Sequence, residues 1–539
     1  MKFYELYFAV ARYIIPAAAI LFVVFAAKAV LKSRRIPILA RLVSADRSKV
    51  IDIHTNESVV GSLPLCEICV DDLSDMQSVL MRGENGFDIA PINGTVSVNG
   101  NSLTDVGPLP SGASLLLDGK PYVFFANKKL RKSAVSKSKS TLAAFIFLLL
   151  FQLVSFAYIA LRFADSIIAT VLLTAISLIV TEIIYISVKK PTASQSSTLF
   201  GFFLTTVGLM AASAGDGSRF LKIGVCAFVG FVVFLILRYI LNYPKLCRKM
   251  RYAVGLIFCA LMLYNAFFGT YINGAKNWIY IGDSISFQPS ELVKPVFILC
   301  STALMNELLS RKNFYWFAFL TLFFGFCLAM MRDFGTASIY FVTALIIMSM
   351  RVKRRRTIYM LIGAAMIGII ALVSLMPYIS ARFAVYGKAW DYAYEGGYQQ
   401  TRTMIAIASG GLFGFGGANG NLIYVSAADT DLVFGVVCEE FGLLLGGCVA
   451  ASYCILILAC IKSLEYKASS FYSVAGCAAS GLYLFQASLN IFGSVDILPL
   501  TGVALPFISN GGSAMLSSWM LLAFVNAHLE TCERGECVE

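Results

Sequence analysis

The sequence predicts a polytopic α-helical membrane protein of about thirteen transmembrane helices, with a small all-β sandwich domain near its N-terminus. Three observations carry this. Of 539 residues 58% are hydrophobic and only 14% charged, against about 25% charged in soluble domains. Apolar runs of about twenty residues recur, the length a helix needs to cross the hydrocarbon core. Between Ile38 and Ala126 that pattern gives way to short alternating runs punctuated by Asn, Asp, Gly and Pro, the mark of a β-sandwich.

In chain order, residues 1–35 form one transmembrane helix, closed by Lys32, Arg34 and Arg35. The charges follow the apolar run, which argues against a cleaved signal peptide and places the N-terminus outside. The sandwich occupies 36–127 on the cytoplasmic side. Residues 128–140 are a basic, Ser-rich linker and 141–190 a two-helix hairpin. Ten more spans follow within 191–539, among them Ser290–Leu309, Thr357–Met376, Asp431–Ile461 and Leu505–Ala527. They are interrupted by a large extracellular loop, 377–430, without clear helical period. Basic clusters such as Lys245 to Arg251 and Arg351 to Arg356 share one side, which puts the C-terminus in the cytoplasm. The same clustering explains the net charge of +12 without nucleic acid.

Only two His are present, His54 and His528, so a His-based triad or multi-His metal site is nearly excluded. Cys66 and Cys69 form a lone C-x-x-C, short of the four ligands of a structural zinc site. Chemistry must rest on carboxylates, Lys, Arg or a borrowed ion. Charge at membrane depth is costly and usually faces a cavity, and four clusters stand out. Ser290 can cap a helix opened by Glu291, and Glu291 and Lys294 share a face three residues apart. Asp333, after Arg332, can cap the next helix. Asp431 ends the large loop, where water meets a membrane helix; Glu439 and Glu440 lie too deep to reach the same atom and brace neighbouring helices. Finally Gln486 and Asn490 precede a Pro- and Gly-rich run from Pro499 to Ser513, whose unpaired backbone should line a cavity.

Six motifs occur in order: Gly274 to Ile279, Phe287 to Lys294, Asp333 to Thr336, Tyr398-Gln399 with Gly410 to Gly416, Thr430 to Gly442, and Pro499 to Ser513. Together they resemble the SEDS proteins (shape, elongation, division and sporulation) of the RodA, FtsW and SpoVE type, over about Thr198 to the C-terminus; ten spans form that core. Departures are local. A P-E-x-H run is usual before Thr430-Asp431; here Ser426, Ala427 and Asp429 match its Pro, Glu and His. Leu432 replaces a usual Phe, Asn510 a usual Tyr and Arg332 a common Pro. Within the sandwich, Gly61, Ser74, Asn93-Gly94-Thr95 and Val98-Asn99-Gly100 resemble a forkhead-associated (FHA) domain, with Ser62 and Gln77 where that family has Arg and His.

The SEDS resemblance implies an inverting peptidoglycan glycosyltransferase that polymerises lipid II, an undecaprenyl-pyrophosphate disaccharide-peptide, at the outer face of the bacterial cytoplasmic membrane. Asp431 is the expected catalytic base. Lys276, Arg332 and Arg402 are candidates for the pyrophosphate, with Trp278, Glu291, Lys294, Asp333, Gln399, Ser509 and Ser513 also binding substrate. No cofactor is required; a divalent cation, magnesium or manganese, would help neutralise pyrophosphate, though no dedicated metal site is visible. The expected partner is a class B penicillin-binding protein transpeptidase. The FHA resemblance implies phosphopeptide binding through Ser74, Asn93 and Asn99, or plain docking of division or elongation proteins. Two other classes stay open: a lipid II flippase, which predicts inverted repeats that are not seen, and a non-catalytic scaffold.

Overall fold

An apolar run satisfies its backbone polar groups in lipid only as a helix, and among the described residues the predicted spans take that form. The computed structural model describes residues 3–31, 38–46, 49–53, 57–62, 66, 68–70, 73–83, 86–127, 139–162, 168–188, 193–215, 217–272, 275–282, 285–306, 311–351, 359, 363, 384–416, 419–464 and 471–534. The chain divides into a helical unit, residues 1–32, 137–464 and 471–529, and a second unit centred on 33–136.

The helical unit contains α1 (Phe3–Leu31), α2 (Lys139–Arg162), α3 (Ile168–Val188), α4 (Ala193–Ser213), α5 (Gly217–Leu241), α6 (Pro244–Phe268), α7 (Pro289–Asn306), α8 (Arg311–Met330), α9 (Phe334–Arg351), α10 (Tyr398–Gly410), α11 (Val433–Ser463), α12 (Phe471–Ser494) and α13 (Gly512–Arg534). Among the described residues ten helices are long and apolar enough to span a membrane: α1 to α6, α8, α9, α11 and α12. Helices α7 and α13 stand where two further spans were expected. The predicted span Thr357–Met376 lies outside the described residues apart from 359 and 363.

Aromatic rings lock the three N-terminal helices to the rest. Phe22 of α1 meets Phe200 and Phe203 of α4 at 5.4 and 4.9 Å between ring centroids. Phe151 of α2 also meets Phe203, at 5.0 Å, and Tyr158 meets Phe441 of α11 at 5.5 Å. One apolar cluster runs through all of them. At its heart the buried Gln152 amide of α2 donates to Glu182 of α3 at 3.0 Å and to Thr206 of α4 at 3.4 Å. These bonds offset part of the cost of burying polar groups at membrane depth, while Oε1 of Gln152 and Oε1 of Glu182 are left without a hydrogen bond.

Three expectations need correction. Helix α11 opens at Val433, so Asp431 sits in the turn before it; the amides of Thr430, Asp431 and Leu432 all converge on the Ala427 carbonyl (2.9–3.2 Å), which bends the chain away from helix geometry. The large loop contains α10 and a 3-10 turn, Leu422–Tyr424. Its helical period was hidden because the buried face of α10 is Gln400, Thr401, Thr403, Ala406 and Gly410, small or polar rather than apolar. The residues before Gln288, which the sequence assigned to no helix or strand, build a three-stranded antiparallel sheet of β12 (Thr270–Ile272), β13 (Ala275–Ile281) and β14 (Ile285–Phe287); these three are numbered after the eleven strands of the second unit.

That unit holds β1 (Ala40–Ser44), β2 (Val50–Ile53), β3 (Glu57–Gly61), β4 (Ile68–Cys69), β5 (Ser78–Gly83), β6 (Gly86–Pro91), β7 (Val96–Val98), β8 (Asn101–Leu103), β9 (Gly107–Leu109), β10 (Ser114–Leu117) and β11 (Lys120–Ala126). A six-stranded sheet runs β2-β1-β11-β10-β7-β8 and a five-stranded sheet β4-β3-β5-β6-β9. Alternation puts Leu42, Leu115 and Phe124 of the first sheet and Val60, Leu80 and Ile89 of the second into one core. Two hairpins close on Asn99-Gly100 and Asp118-Gly119, all four at positive φ, the conformation a two-residue turn needs. The thiols of Cys66 and Cys69 reach different backbone carbonyls, those of Asp75 and Ser62, so the C-x-x-C does not converge on one point.

Candidate active site

Broken helix backbone must find partners inside the protein, and here the partners shape a cavity. The Pro- and Gly-rich run 499–511 is not helical. Gln486 of α12 donates to the Ala504 carbonyl at 2.7 Å and Asn490 to that of Val503 at 2.8 Å. The run thus forms one wall of a cavity of about 390 Å³; β13 and β14, the start of α9 and the turn carrying Asp431 form the others.

Seven predicted site residues line this cavity: Trp278, Glu291, Arg332, Asp333, Asp431, Ser509 and Ser513. Asp431 is half-buried, and Asn490 fixes its carbonyl with a 2.9 Å hydrogen bond. Gly502, at φ +68°, faces its carboxylate: a β-carbon there would lie 3.3 Å from Oδ2. Asp333 caps α9 as expected, accepting the Thr336 amide at 3.1 Å on Oδ1. Its other oxygen accepts Asn277 at 3.0 Å and Gln288 at 3.3 Å. Arg332, exposed at the cavity mouth, holds a left-handed backbone, φ +58°, uncommon for a residue with a side chain.

Glu291 and Lys294 form the predicted pair, 2.6 Å apart and buried. The lysine also donates to Gln486 at 3.0 Å, which ties α7 to the helix that holds the broken run. The helix opens at Pro289, a residue suited to a first turn, and the Ser290 hydroxyl receives the Gln288 amide at 3.1 Å.

The other predicted residues lie away from the cavity lining. Lys276 spends its ammonium on the Phe267 carbonyl, at 2.6 Å. Lys294 lies behind Glu291. Gln399 donates to the Ser426 carbonyl at 3.0 Å, and Arg402 lies over the Tyr398 ring, 5.1 Å from its centroid. The sequence reading left out Asn277 and Gln288, although both sit inside its motifs, and it did not assign Asn510 a role; all three line the cavity.

Glu439 and Glu440 brace the large loop, and Glu440 also faces the Arg162 guanidinium of the neighbouring helix α2. Glu439 accepts the amides of Asn421 and Leu422, both at 3.0 Å, and Glu440 accepts that of Gly420 at 2.9 Å. Just beyond them α11 is broken at Gly442, φ +86°. Loop backbone repairs the break: Phe415 and Gly416 donate to the carbonyls of Glu439 and Glu440, and Leu443 and Leu444 donate to those of Gly411 and Leu412. Such close approach leaves no room for side chains at Gly410 and Gly414, whose β-carbons would strike the α11 backbone.

The stretch of chain that builds this cavity matches a family model. The model for the FtsW, RodA and SpoVE cell cycle proteins covers residues 191–531. This chain belongs to that family. A relative from Coxiella burnetii, named probable peptidoglycan glycosyltransferase FtsW, is 30% identical over 285 residues, 51% of this chain and 76% of its own length. One of the same name from Alcanivorax borkumensis is 31% identical over 323 residues, 57% of this chain and 80% of its own. In fold, a chain from a solved peptidoglycan synthase complex aligns with a TM-score of 0.50 at 21% identity, covering 62% of this chain and 97% of that one. The family match begins at α4, so α1 to α3 and the β unit lie before it.

Proposed function

We propose that this multi-pass membrane protein is a peptidoglycan glycosyltransferase that polymerises lipid II at the outer face of the cytoplasmic membrane. The observation that carries the reading is the cavity in which Asp431 stands with Glu291, Asp333 and Arg332, in a chain whose relatives bear that activity in their names. A sugar hydroxyl of one lipid-linked chain attacks the anomeric carbon of another. Asp431 takes the hydroxyl proton as general base. The new carbon–oxygen bond forms as the bond to pyrophosphate breaks, and the electron pair leaves on the phosphate oxygen. Arg332, exposed and lining the cavity, meets that anion. An α-linked donor yields a β-linked polymer, so one base suffices and no glycosyl-enzyme forms. Among the described residues no three of His, Cys, Asp and Glu cluster to hold a metal.

The test is polymerisation of lipid II by the purified chain. Wild type should make glycan strands, and Asp431→Asn should lose at least about 100-fold, the lower end of what a general base contributes, with an unchanged melting temperature. A fully active Asp431→Asn protein would falsify the assignment. Transport of labelled lipid II without polymer would favour a flippase. The partner we propose is a class B penicillin-binding protein, whose addition should raise the rate and crosslink the product. In the membrane the N-terminus lies outside, with the β unit and the C-terminus cytoplasmic.

For the β unit we infer docking that does not use a phosphate. The Asp118 carboxylate already accepts the amides of Ser74 and Thr95, each at 2.8 Å. Asn99 is likewise engaged, accepting the Ser114 amide at 2.9 Å. A second anion at Ser74 and Thr95 would meet a like charge. Phosphothreonine titrated against the full chain should give no saturable binding; a dissociation constant below about 100 μM, some 5.5 kcal/mol of binding, would restore the phosphopeptide reading.

A further inference from the structure

The turn that presents Asp431 is held on both sides of that residue. Inside the turn, three amides converge on the carbonyl of Ala427, itself at φ +60°. Across the cavity wall, the broken run grips the two residues just before the base. The Asn510 amide donates to the Asp429 carbonyl at 2.9 Å, and the Asn510 side chain donates to Asp429 Oδ2 at 2.8 Å. Next to it the Ser509 hydroxyl donates to the Thr430 carbonyl at 2.6 Å, while accepting the Leu505 amide at 2.7 Å. Among these links the Asn510–Asp429 side-chain bond alone includes a charged group, and charge-assisted bonds are about twice as strong as neutral ones.

Positions 429 and 510 are also two of the places where the sequence departs from the SEDS pattern, His to Asp and Tyr to Asn. They lie 81 residues apart and are direct partners. A lone departure beside the base would leave a polar group facing an unsuited neighbour; two that match each other rebuild a complementary pair.

We propose that Asp429 and Asn510 form a coupled clamp that sets the height of Asp431 against the cavity, and that each is a positioning residue for the glycosyl transfer. The inference rests on Asp431 being the base. Nothing in the clamp needs to touch the reacting atoms: it fixes the turn, and the turn aims the carboxylate. Misplacing a reacting group by about 1 Å costs about 100-fold in rate.

A residue-swap cycle in the full-length protein tests this, read out by lipid II polymerisation and thermal melting. Asn510→Asp sets two carboxylates against each other and should lower kcat about 100-fold, with KM and the melting temperature little changed. Asp429→Asn combined with Asn510→Asp exchanges donor and acceptor and should return kcat to within about threefold of wild type, a gap under about 0.7 kcal/mol. Asp429→Ala should resemble Asn510→Asp. Equal activity of Asn510→Asp and wild type would overturn the clamp. So would failure of the double variant to recover any activity while it melts like wild type. A wild-type protein that makes no polymer would instead sink the enzyme reading.

Discussion

A single hydrogen atom at position 502 leaves room for the Asp431 carboxylate. Gly502 holds φ +68°, and its missing β-carbon would stand 3.3 Å from Oδ2. Gly502→Ala therefore faces both a left-handed backbone, costing about 1–2 kcal/mol, and crowding of the base. We expect polymerisation to fall about tenfold while the protein remains folded, as measured by initial rate and by melting in detergent. Gly502→Val should fall further. At this scale local spacing was informative. Glu291 and Lys294 pair because residues three apart share a helix face, and Asp333 caps because a carboxylate precedes a helical run. Lys276 could not be read the same way. Its partner, the Phe267 carbonyl, is brought to it by the turn from α6 into the small sheet, which no spacing rule announces.

At the scale of elements, the central event is the break in α11 and its repair by the loop. The Gly410 to Gly416 motif had been matched in sequence without a physical reason. The structure supplies one: those glycines let the loop backbone come close enough to satisfy amides and carbonyls freed at Gly442. Glu439 and Glu440 then hold the next stretch of loop by its amides. Glu439→Ala removes the acceptor for two backbone amides, so we expect about 2 kcal/mol of destabilisation. Faster proteolytic cleavage within 419–425 should accompany it. Gly414→Ala, placed against the Glu440 backbone, should cost at least as much. Helix α10 escaped the sequence reading because it buries threonine and glycine; a hydrophobic period is visible only where the buried face is apolar.

At the scale of the molecule, the β unit is inserted between α1 and α2 with its ends adjacent. The Asn127 amide donates to the Leu39 carbonyl at 2.9 Å and its side chain to that of Ile38 at 3.0 Å. A short flexible linker can therefore replace residues 38–127. The excised protein should keep its membrane fold and its basal polymerisation, measured by melting and by the lipid II assay; loss of the fold would show that the β unit is needed for the core. The unit also has its own pH dependence. Burial raises the Asp118 pKa, but hydrogen bonds from Ser74 and Thr95 outweigh that and hold it below the ordinary 3.8. A carboxyl depressed on folding contributes stability above its unfolded value and loses it as the pH falls through the folded one. Acid unfolding of this unit below about pH 3.8 should thus be blunted in Asp118→Asn, with lower stability at neutral pH, followed by circular dichroism.

The sequence by itself determined the membrane class, the two-part organisation and the family. Each of these rests on short-range regularities: run length, period, turn residues and ordered motifs. Only the tertiary structure decided which of the named polar residues share a cavity, that Asp431 sits in a turn ahead of its helix, and that Asp429 meets Asn510. Those outcomes depend on where broken backbone and polar side chains find hydrogen-bond partners, which lie 13 residues apart for Asn490 and Val503 and 81 apart for Asp429 and Asn510.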